Sequence, residues 1–348
     1  MATVRVLGER ALNRALLARQ LLLERASLSI PEALSRMSGI QNQYAPNAYL
    51  RLWSCLTEFG RDDLTRAYEE AAVVQGTLMR GTIHAVARDD YRTFLGAVRS
   101  SQREWSERAT KAPVGLEREA ALKLVRAAIA DGPMKRPALV AALLKDVHPA
   151  IRYSIDTELG ILRVPPSSTW DRRRADLCAL ADDVIGPGDA VPEAVALPAV
   201  IKRYLRAFGP ASVAQMGSFL GIGISRIKAA VPPRLRRFRT EDGLELLDVQ
   251  RAPLPDPETP APVRFLPTWD AILLVHARAT QVLPEEYRPR VFHTKMPPSY
   301  PTFLIDGHVA GTWRHEDGEI RLTPFRKLAA GERAALEEEA HALTAFHA

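Results

Sequence analysis

Apolar residues recur at helical spacing in three separate segments of the chain, and the three segments share one layout. In each, an apolar helix is followed by a short turn and a second amphipathic helix; the helix pairs cover 11–23 and 32–37, 120–130 and 138–144, and 200–207 and 213–220. The turns end in residues that start helices, such as Pro137 and Ser212. A single helix pair is a common structural hairpin, but three in one chain predict three helix-turn-helix units.

Strand-like segments follow the first and third units. Residues 75–87 and 244–249 have the β-branched and alternating character of strands and would serve as wings. In the third unit, Gly221 and Gly223 break the helix, and Ser225 can cap a further helix over 226–230, at the place of a recognition helix. These features predict winged-helix modules.

The pattern changes after a Pro- and Asp-rich linker at 253–262. Short strands are predicted over 263–267, 290–292, 302–314 and 320–322, with Asp306-Gly307 as a hairpin turn, and a helix over 329–346 closes the chain. The predicted fold class is therefore mainly α with β wings (α+β). It has about three tandem winged-helix modules, over 1–95, 96–195 and 196–252, and a β-rich, barrel-like domain over 263–348.

Composition narrows the classes of protein. No apolar run approaches the roughly 18 to 20 residues of a membrane helix, and the first ten residues lack a signal-peptide layout, so we expect a cytoplasmic protein that does not enter membranes. The two cysteines, Cys55 and Cys178, are far apart, and the eight histidines show no metal-ligand spacing. We therefore predict no disulfide, no metal and no cofactor.

The net charge of +6 comes mostly from arginine. Guanidinium groups bind phosphates in a bidentate manner, so nucleic acid is a candidate partner, although a modest positive charge is also common in Arg-rich proteins without such a partner. Basic clusters at 172–174 and at Arg234, Arg236, Arg237 and Arg239 suit backbone phosphates. The alternative for both clusters is a solvated loop.

A polar run, Gln41-Asn42-Gln43-Tyr44, precedes the apolar segment that contains Arg80 and His84. Taken alone, such a run is typical of a solvated turn after a helix. Several further stretches, in the same order along the chain, make it informative: 78–84, 204–211, 265–270, 273–278 and 303–313. Together with the glutamine pair, these stretches resemble the AlkZ/YcaQ-like DNA glycosylases, and the resemblance extends from Leu17 to Trp313.

This resemblance implies a C-shaped, positively charged cradle for duplex DNA, built from tandem winged-helix modules and a C-terminal β-barrel in a monomer. It also implies an active site at a glutamine-x-glutamine or glutamine-x-aspartate motif. The glutamine at position 43 matches the AlkZ-like branch. Asn42 departs from the family, which usually has a hydrophobic or aromatic residue between the two positions, and the departure leaves the substrate open.

The resemblance further implies hydrolysis of the N-glycosidic bond of alkylated purines, most often N7-alkylguanine. Such a base is already cationic, so the enzyme must mainly position a water and stabilise the oxocarbenium ion. We expect Gln43 to hold the attacking water and Gln41 to position that water or the sugar. The motif places no lysine to form a Schiff base, so we predict a monofunctional glycosylase.

The remaining candidates are DNA-binding residues with two interpretations each. Asn42 either reaches the lesion or a phosphate, or caps the following turn. Tyr44 either stacks near the DNA or belongs to the core. Arg80 and His84, as alternate residues of a strand, would face one groove and contact phosphate or solvent. Three residues near the start of the β-rich domain either order a hairpin at the DNA or brace the domain: Asp270, His276 and Arg278.

The sequence thus predicts a monofunctional glycosylase for bulky or crosslinked N7-alkylguanine adducts in duplex DNA. It would serve DNA repair, or self-resistance to an alkylating natural product, at the nucleoid of a bacterium. Two alternatives stay open. The first is a non-enzymatic winged-helix transcription regulator, and the second is a resistance protein that sequesters the drug in a closed apolar pocket.

Overall fold

A computed structural model describes residues 4–110, 115–274, 280–293 and 299–348. None of the helices in these ranges is both long and apolar enough to cross a membrane. The helices are α1 (Glu9–Arg19), α2 (Ile30–Met37), α3 (Pro46–Trp53), α4 (Arg61–Glu69), α5 (Arg88–Thr110), α6 (Gly115–Ala128), α7 (Arg136–Leu143), α8 (Pro149–Leu159), α9 (Ala181–Ile185), α10 (Glu193–Phe208), α11 (Val213–Leu220), α12 (Ile224–Ala230), α13 (Ala271–Leu274), α14 (Arg288–Val291) and α15 (Ala330–His347).

The strands form three sheets, with orders β1-β8-β9, β2-β4-β3-β6-β7-β5 and β10-β11-β12-β13. The strands are β1 (Arg5–Leu7), β2 (Ile40–Gln41), β3 (Val73–Thr77), β4 (Ile83–Ala87), β5 (Met134–Lys135), β6 (Ile161–Arg163), β7 (Leu177–Leu180), β8 (Arg236–Thr240), β9 (Glu245–Asp248), β10 (Arg264–Leu266), β11 (Thr302–Ile305), β12 (His308–Glu316) and β13 (Glu319–Pro324).

The predicted helix pairs correspond to α1 and α2, α6 and α7, and α10 and α11. Local chemistry explains why two of the second helices start where they do. Ser29 and Ser212 each form a capping box, with Glu32 and Gln215 respectively, which satisfies N–H groups of the first turn. The predicted break after α11 is also confirmed, because Gly221 adopts φ +72° and α12 follows.

Two predicted strands are wrong. Residues 75–87 do not form one strand, because the chain reverses at the 3-10 turn Met79–Gly81 between β3 and β4. Arg80 and Gly81 have φ +55° and +69°, a conformation that the apolar pattern of the segment does not reveal for an arginine. The predicted strand at 290–292 begins inside α14, where Pro289 occupies the first turn of a helix.

The six-stranded sheet contains strands from both sides of residue 95, the predicted end of the first module. Its central hairpin, β3–β4, pairs with β2 through β4 and with β6 through β3, where Gly76 lies opposite Leu162. A Cβ atom at Gly76 would lie 2.6 Å from the Tyr91 ring. Glycine at this position therefore allows α5 to pack closely on the sheet.

The C-terminal strands pair in chain order as a four-stranded antiparallel sheet. Asp306 and Gly307 have φ +46° and +79°, so the predicted hairpin turn between β11 and β12 is confirmed. Among the described residues no pairing joins β13 to β10, and these strands form an open sheet rather than the expected closed barrel. The sheet is covered by α15, which contacts β13.

A buried ion pair joins the first helix to the third predicted module. Arg19, in α1, donates to both carboxylate oxygens of Asp248, in β9, at 2.8 and 2.9 Å, and neither side chain is exposed. The same guanidinium donates to the carbonyls of Leu205 and Pro253. Because Pro253 begins the predicted linker, that segment is fixed to α1 at its first residue.

We expect Arg19→Met to lower the free energy of unfolding by about 3–5 kcal/mol, because Asp248 is left as a buried charge without a partner. Urea denaturation measures the change. Arg237→Met is the matched control: its ion pair with Glu245 is exposed, so its removal is expected to change the free energy of unfolding by less than about 1 kcal/mol. Equal effects of the two substitutions would contradict this account.

Candidate active site

Gln41 lies at the end of β2, on the edge of the six-stranded sheet. The residue pairs with His84 of β4, so the two side chains share one face of the sheet. Gly39 allows this pairing, because its φ is +82° and a Cβ atom there would lie 2.8 Å from Val86 Cγ1. Gln41 is 8% exposed. The first glutamine of the motif is therefore held by the sheet, not by a flexible turn.

Arg80 holds the side chain of Gln41 in one orientation. From the turn between β3 and β4, its Nη2 donates to Gln41 Oε1 at 2.6 Å and its Nη1 donates to the Phe219 carbonyl at 2.5 Å. A guanidinium group has only donors, so the amide atom facing it must be the oxygen. Gln41 therefore presents its NH₂ group to the remaining side. Burial lowers the pKa of Arg80 to about 10, and the group remains a cation at neutral pH.

His84 is buried and neutral. Its Nδ1 lies 2.9 Å from the Thr82 carbonyl, which only accepts, so Nδ1 carries the proton. Nε2 is then a bare acceptor, and it has no hydrogen-bond partner. Burial, together with the charge of Arg80, lowers the pKa of His84 to about 3. The structure does not place His84 where phosphate or solvent reaches it, contrary to the expectation for a wing residue.

Asn42 points to the opposite face of the sheet and is fully buried. Its Nδ2 donates to Gln75 Oε1 at 2.7 Å, and its Oδ1 accepts from the backbone N–H of Ala48, in the first turn of α3, at 3.1 Å. Of the two roles considered for Asn42, the geometry matches the cap. Both ends of its amide form hydrogen bonds inside the protein.

Gln43 and Tyr44 are exposed beyond the end of β2. The Gln43 side chain has no hydrogen-bond partner in the part of the chain that the structure describes, so its amide is free to bind a ligand or water. The Tyr44 hydroxyl accepts from Arg173 Nη1 at 2.7 Å, and that guanidinium lies 5.8 Å from the centre of the Tyr44 ring. Tyr44 is thus a surface residue next to the basic cluster, not a core residue.

Asp270 is part of an internal brace. It forms an ion pair with Arg51 of α3 at 2.8 Å, both side chains being buried, and accepts from the N–H of Ile272 at the start of α13. This placement matches the bracing role. A small cavity separates the pair from Gln41; its lining includes Gln20, Gly39, Gln41, Arg51 and Asp270.

Two further predicted DNA-binding residues, Arg236 and Arg237, lie in the three-stranded sheet and not in the sheet that holds Gln41. Arg236 stacks on Phe238 at 4.7 Å and Arg237 pairs with Glu245, all on the β8–β9 hairpin. His276 and Arg278 lie outside the described residues. Over the described ranges, no group of three His, Cys, Asp or Glu side chains is close enough to hold a metal ion.

Sequence reasoning missed two residues of the site, Gln75 and Phe219. Gln75 is a polar residue inside a predicted strand with an apolar pattern, and this anomaly is the signal that would have marked it. Phe219 contributes its backbone carbonyl, for which the sequence carries no signal. The sequence predicts Arg173 as a possible phosphate ligand, and it carries no signal for the contact of this residue with Tyr44.

Comparisons with known proteins identify the class to which this fold belongs. The model of the AlkZ-like DNA glycosylase family matches residues 34–346. The chain therefore belongs to the AlkZ-like family, and it is a DNA glycosylase.

An individual relative is known from Streptomyces sahachiroi. The interstrand DNA cross-link repair glycosylase of that organism is 24% identical over 335 residues, which cover 88% of each chain. The solved structure of Streptomyces sahachiroi DNA glycosylase AlkZ superimposes with a TM-score of 0.82 at 20% identity, over 98% of this chain and 97% of that one. The two structures therefore share one fold along almost their whole length.

Because the pKa of His84 is lowered to about 3, this residue should make stability depend on pH. Between pH 6.5 and 3 the unfolded chain binds a proton at this histidine and the native protein does not. The contribution of neutral His84 to the free energy of unfolding is complete above pH 6.5. It is lost as pH falls, by at most about 1.4 kcal/mol per pH unit. We expect His84→Gln to flatten the fall in urea stability between pH 6.5 and 4.5. Parallel curves for the two proteins would mean that native His84 is protonated in this range.

Proposed function

We propose that this DNA glycosylase releases alkylated purines, in particular bulky or crosslinked N7-alkylguanine, from duplex DNA by hydrolysis at Gln41 and Gln43. The observation that carries the proposal is the contrast between the two amides. The oxygen of Gln41 is fixed on Arg80, whereas Gln43 is exposed and free. One amide therefore offers a donor in a defined direction, and the other can offer an acceptor.

Gln43 orients the attacking water in this proposal. Its carbonyl oxygen accepts a hydrogen bond from the water, whose oxygen attacks the anomeric carbon C1′. The bond between C1′ and N9 breaks with its electron pair on the base, which leaves as neutral N7-alkylguanine, and the water's extra proton passes to solvent. A neutral amide is a weak base, so the site suits a leaving group that is already cationic.

Gln41 is a donor in this scheme. Its NH₂ group donates to the water oxygen or to a sugar oxygen and so fixes the position of the nucleophile. The charge of Arg80, acting on the carbonyl oxygen of the same amide, strengthens that donor. Arg80 is thus a positioning residue, because it acts through Gln41.

The wider proposal concerns the partner. In this proposal the three helix-turn-helix units are winged-helix modules, with boundaries near residues 95 and 195. Together with the C-terminal sheet, the modules form a C-shaped cradle for duplex DNA. The protein acts as a monomer without metal or cofactor. Crosslinked adducts are favoured because a relative is named for interstrand cross-link repair. A bacterial role in repair, or in self-resistance to an alkylating natural product, is part of this proposal.

Enclosure of a drug at Gln41 is disfavoured by the size of the cavity there. The cavity beside Gln41 measures about 10 Å³, room for roughly one water. A drug-sized molecule requires a pocket of roughly 300 Å³ or more. The exposed side of Gln43 therefore suits a substrate that arrives on DNA better than a small molecule enclosed by the protein.

We expect Gln43→Ala and Gln41→Ala each to slow base release from N7-alkylguanine duplexes by about 100-fold, the usual cost of losing a group that stabilises the transition state. Single-turnover assays that reveal abasic sites with heat or alkali measure the rate, and anisotropy confirms that duplex binding is kept. Gln250→Ala, at an exposed glutamine on the surface, is the control.

Two outcomes would overturn parts of the proposal. If DNA is bound but no base is released from adducts of any size, the glutamine pair is not catalytic. If strands are cleaved before heat or alkali is applied, the enzyme is not monofunctional.

Arg80→Met tests whether Gln41 acts as an oriented donor. We expect kcat to fall about tenfold with KM unchanged, because Gln41 loses its fixed direction but keeps its amide. Adding Gln41→Ala to Arg80→Met should cost less than Gln41→Ala alone, since coupled residues are not additive. Arg80→Lys keeps a donor and should restore part of the rate. A normal kcat in Arg80→Met would show that the contact has no role in catalysis.

A further inference from the structure

The loop at 166–174, which is exposed at 171–174, lies beside the second half of the glutamine motif. Arg173 in this loop is committed to the Tyr44 hydroxyl. Arg172 and Arg174 are also exposed, and within the described ranges their side chains have neither an ion pair nor a hydrogen bond. With Lys135 of β5 they line a cleft of about 300 Å³. Two arginines with unpaired side chains and one lysine therefore border one open space.

The charge of this cleft is strongly one-sided. Its lining includes four cationic side chains, since Arg173 also contributes, and one carboxylate, Asp176. Guanidinium groups match the geometry of phosphate oxygens, and the substrate of a DNA glycosylase carries a phosphate at every backbone linkage. The chemistry of the cleft therefore fits a phosphate of the DNA backbone.

The base of the loop is rigid. Ser167 Oγ donates to the Arg174 carbonyl at 2.6 Å and accepts from the N–H groups of Asp176 and Leu177. The N–H of Ser168 donates to the same Arg174 carbonyl at 2.9 Å. The positions of the arginine backbones are thus set by the protein before any ligand binds.

The loop is connected to the centre of the glutamine motif by buried hydrogen bonds. Gln75 Oε1 accepts from both Ser168 Oγ and Asn42 Nδ2 at 2.7 Å, and Gln75 Nε2 donates to the Ser168 carbonyl at 3.1 Å. Asn42, Gln75 and Ser168 are all fully buried. We name these three side chains the amide network. The network reaches from the loop to the residue between the two glutamines.

We propose that the cleft lined by Lys135, Arg172 and Arg174 binds a backbone phosphate of the substrate DNA, and that the amide network sets its distance from Gln43. The second half rests on the proposed function, because it assigns Gln43 to the reaction. Asn42 is then a positioning residue, and its polar side chain is needed for the hydrogen bond to Gln75. A hydrophobic residue at position 42 could not bond to Gln75, and the loop would lose its link to the motif.

The phosphate site is tested on undamaged duplex, where no base release is needed. Each phosphate contact contributes about 0.9 to the slope of log affinity against log salt concentration. The double variant Arg172→Gln/Arg174→Gln should therefore reduce that slope by about two relative to the wild type. Lys123→Gln/Arg333→Gln, which removes two exposed and unpaired charges elsewhere, is the control. If both double variants change the slope equally, Arg172 and Arg174 are solvated charges and do not form a phosphate site.

The positioning half is tested by replacing the whole amide network with apolar groups, in Asn42→Leu/Gln75→Met/Ser168→Ala. Removing all partners together leaves few unsatisfied groups, so the variant should fold. We expect the wild-type salt slope but a kcat at least tenfold lower. Gln75→Leu, which cuts the link but keeps the bond from Asn42 to Ala48, is the second variant if the triple variant is unstable. An unchanged kcat in a folded variant shows that the network is only packing.

The phosphate site and the positioning role of the amide network can be contradicted independently of each other. If the wild type itself releases no base, the positioning half falls with the proposed function. The phosphate site is then still decided by the salt slopes, since undamaged duplex reports binding alone.

Discussion

The half-buried guanidinium of Arg80 is the constraint on which the candidate site depends. A cation that is partly removed from water needs acceptors, and Arg80 obtains them from two directions: the side chain of Gln41 in the six-stranded sheet and the carbonyl of Phe219 at the end of α11. The β3–β4 hairpin that carries Arg80 also pairs with β6 of the second predicted module. Residues of all three predicted modules therefore contact Arg80 or the hairpin that carries it.

The side chains around Arg80 favour a reaction that needs little acid catalysis. His84 is kept neutral by burial and by the nearby charge of Arg80, and the two glutamines carry no charge. The carboxylate of Asp270, which lines the small cavity beside Gln41, is held in an ion pair with Arg51. Such a site can orient water and polar groups but adds little acid catalysis. This chemistry is the reason why we propose a substrate whose base is already activated by alkylation.

The sequence predicted features that depend on neighbouring residues and missed those that depend on distant ones. Helix starts at Ser29 and Ser212 and the Asp306-Gly307 turn follow from local chemistry, and they were recoverable. The reversal at Arg80 was not, because an arginine at φ +55° is held there by tertiary contacts. The same holds for the Arg19–Asp248 pair, which joins residues 229 positions apart. The resemblance predicts the position of the glutamine motif. The structure shows that the Gln41 amide is held by Arg80, whereas Gln43 is exposed.

Asn42 illustrates how a departure from a family pattern can be read physically. An amide placed in a core is costly unless all of its polar atoms find partners, so it cannot replace a hydrophobic residue alone. Here Gln75 and the backbone N–H of Ala48 supply those partners, and Ser168 completes the set for Gln75. The polar residue at the centre of the motif is therefore one member of a group of residues from two predicted modules. In this chain, the residue between the two glutamines is part of the hydrogen-bond network that joins those modules.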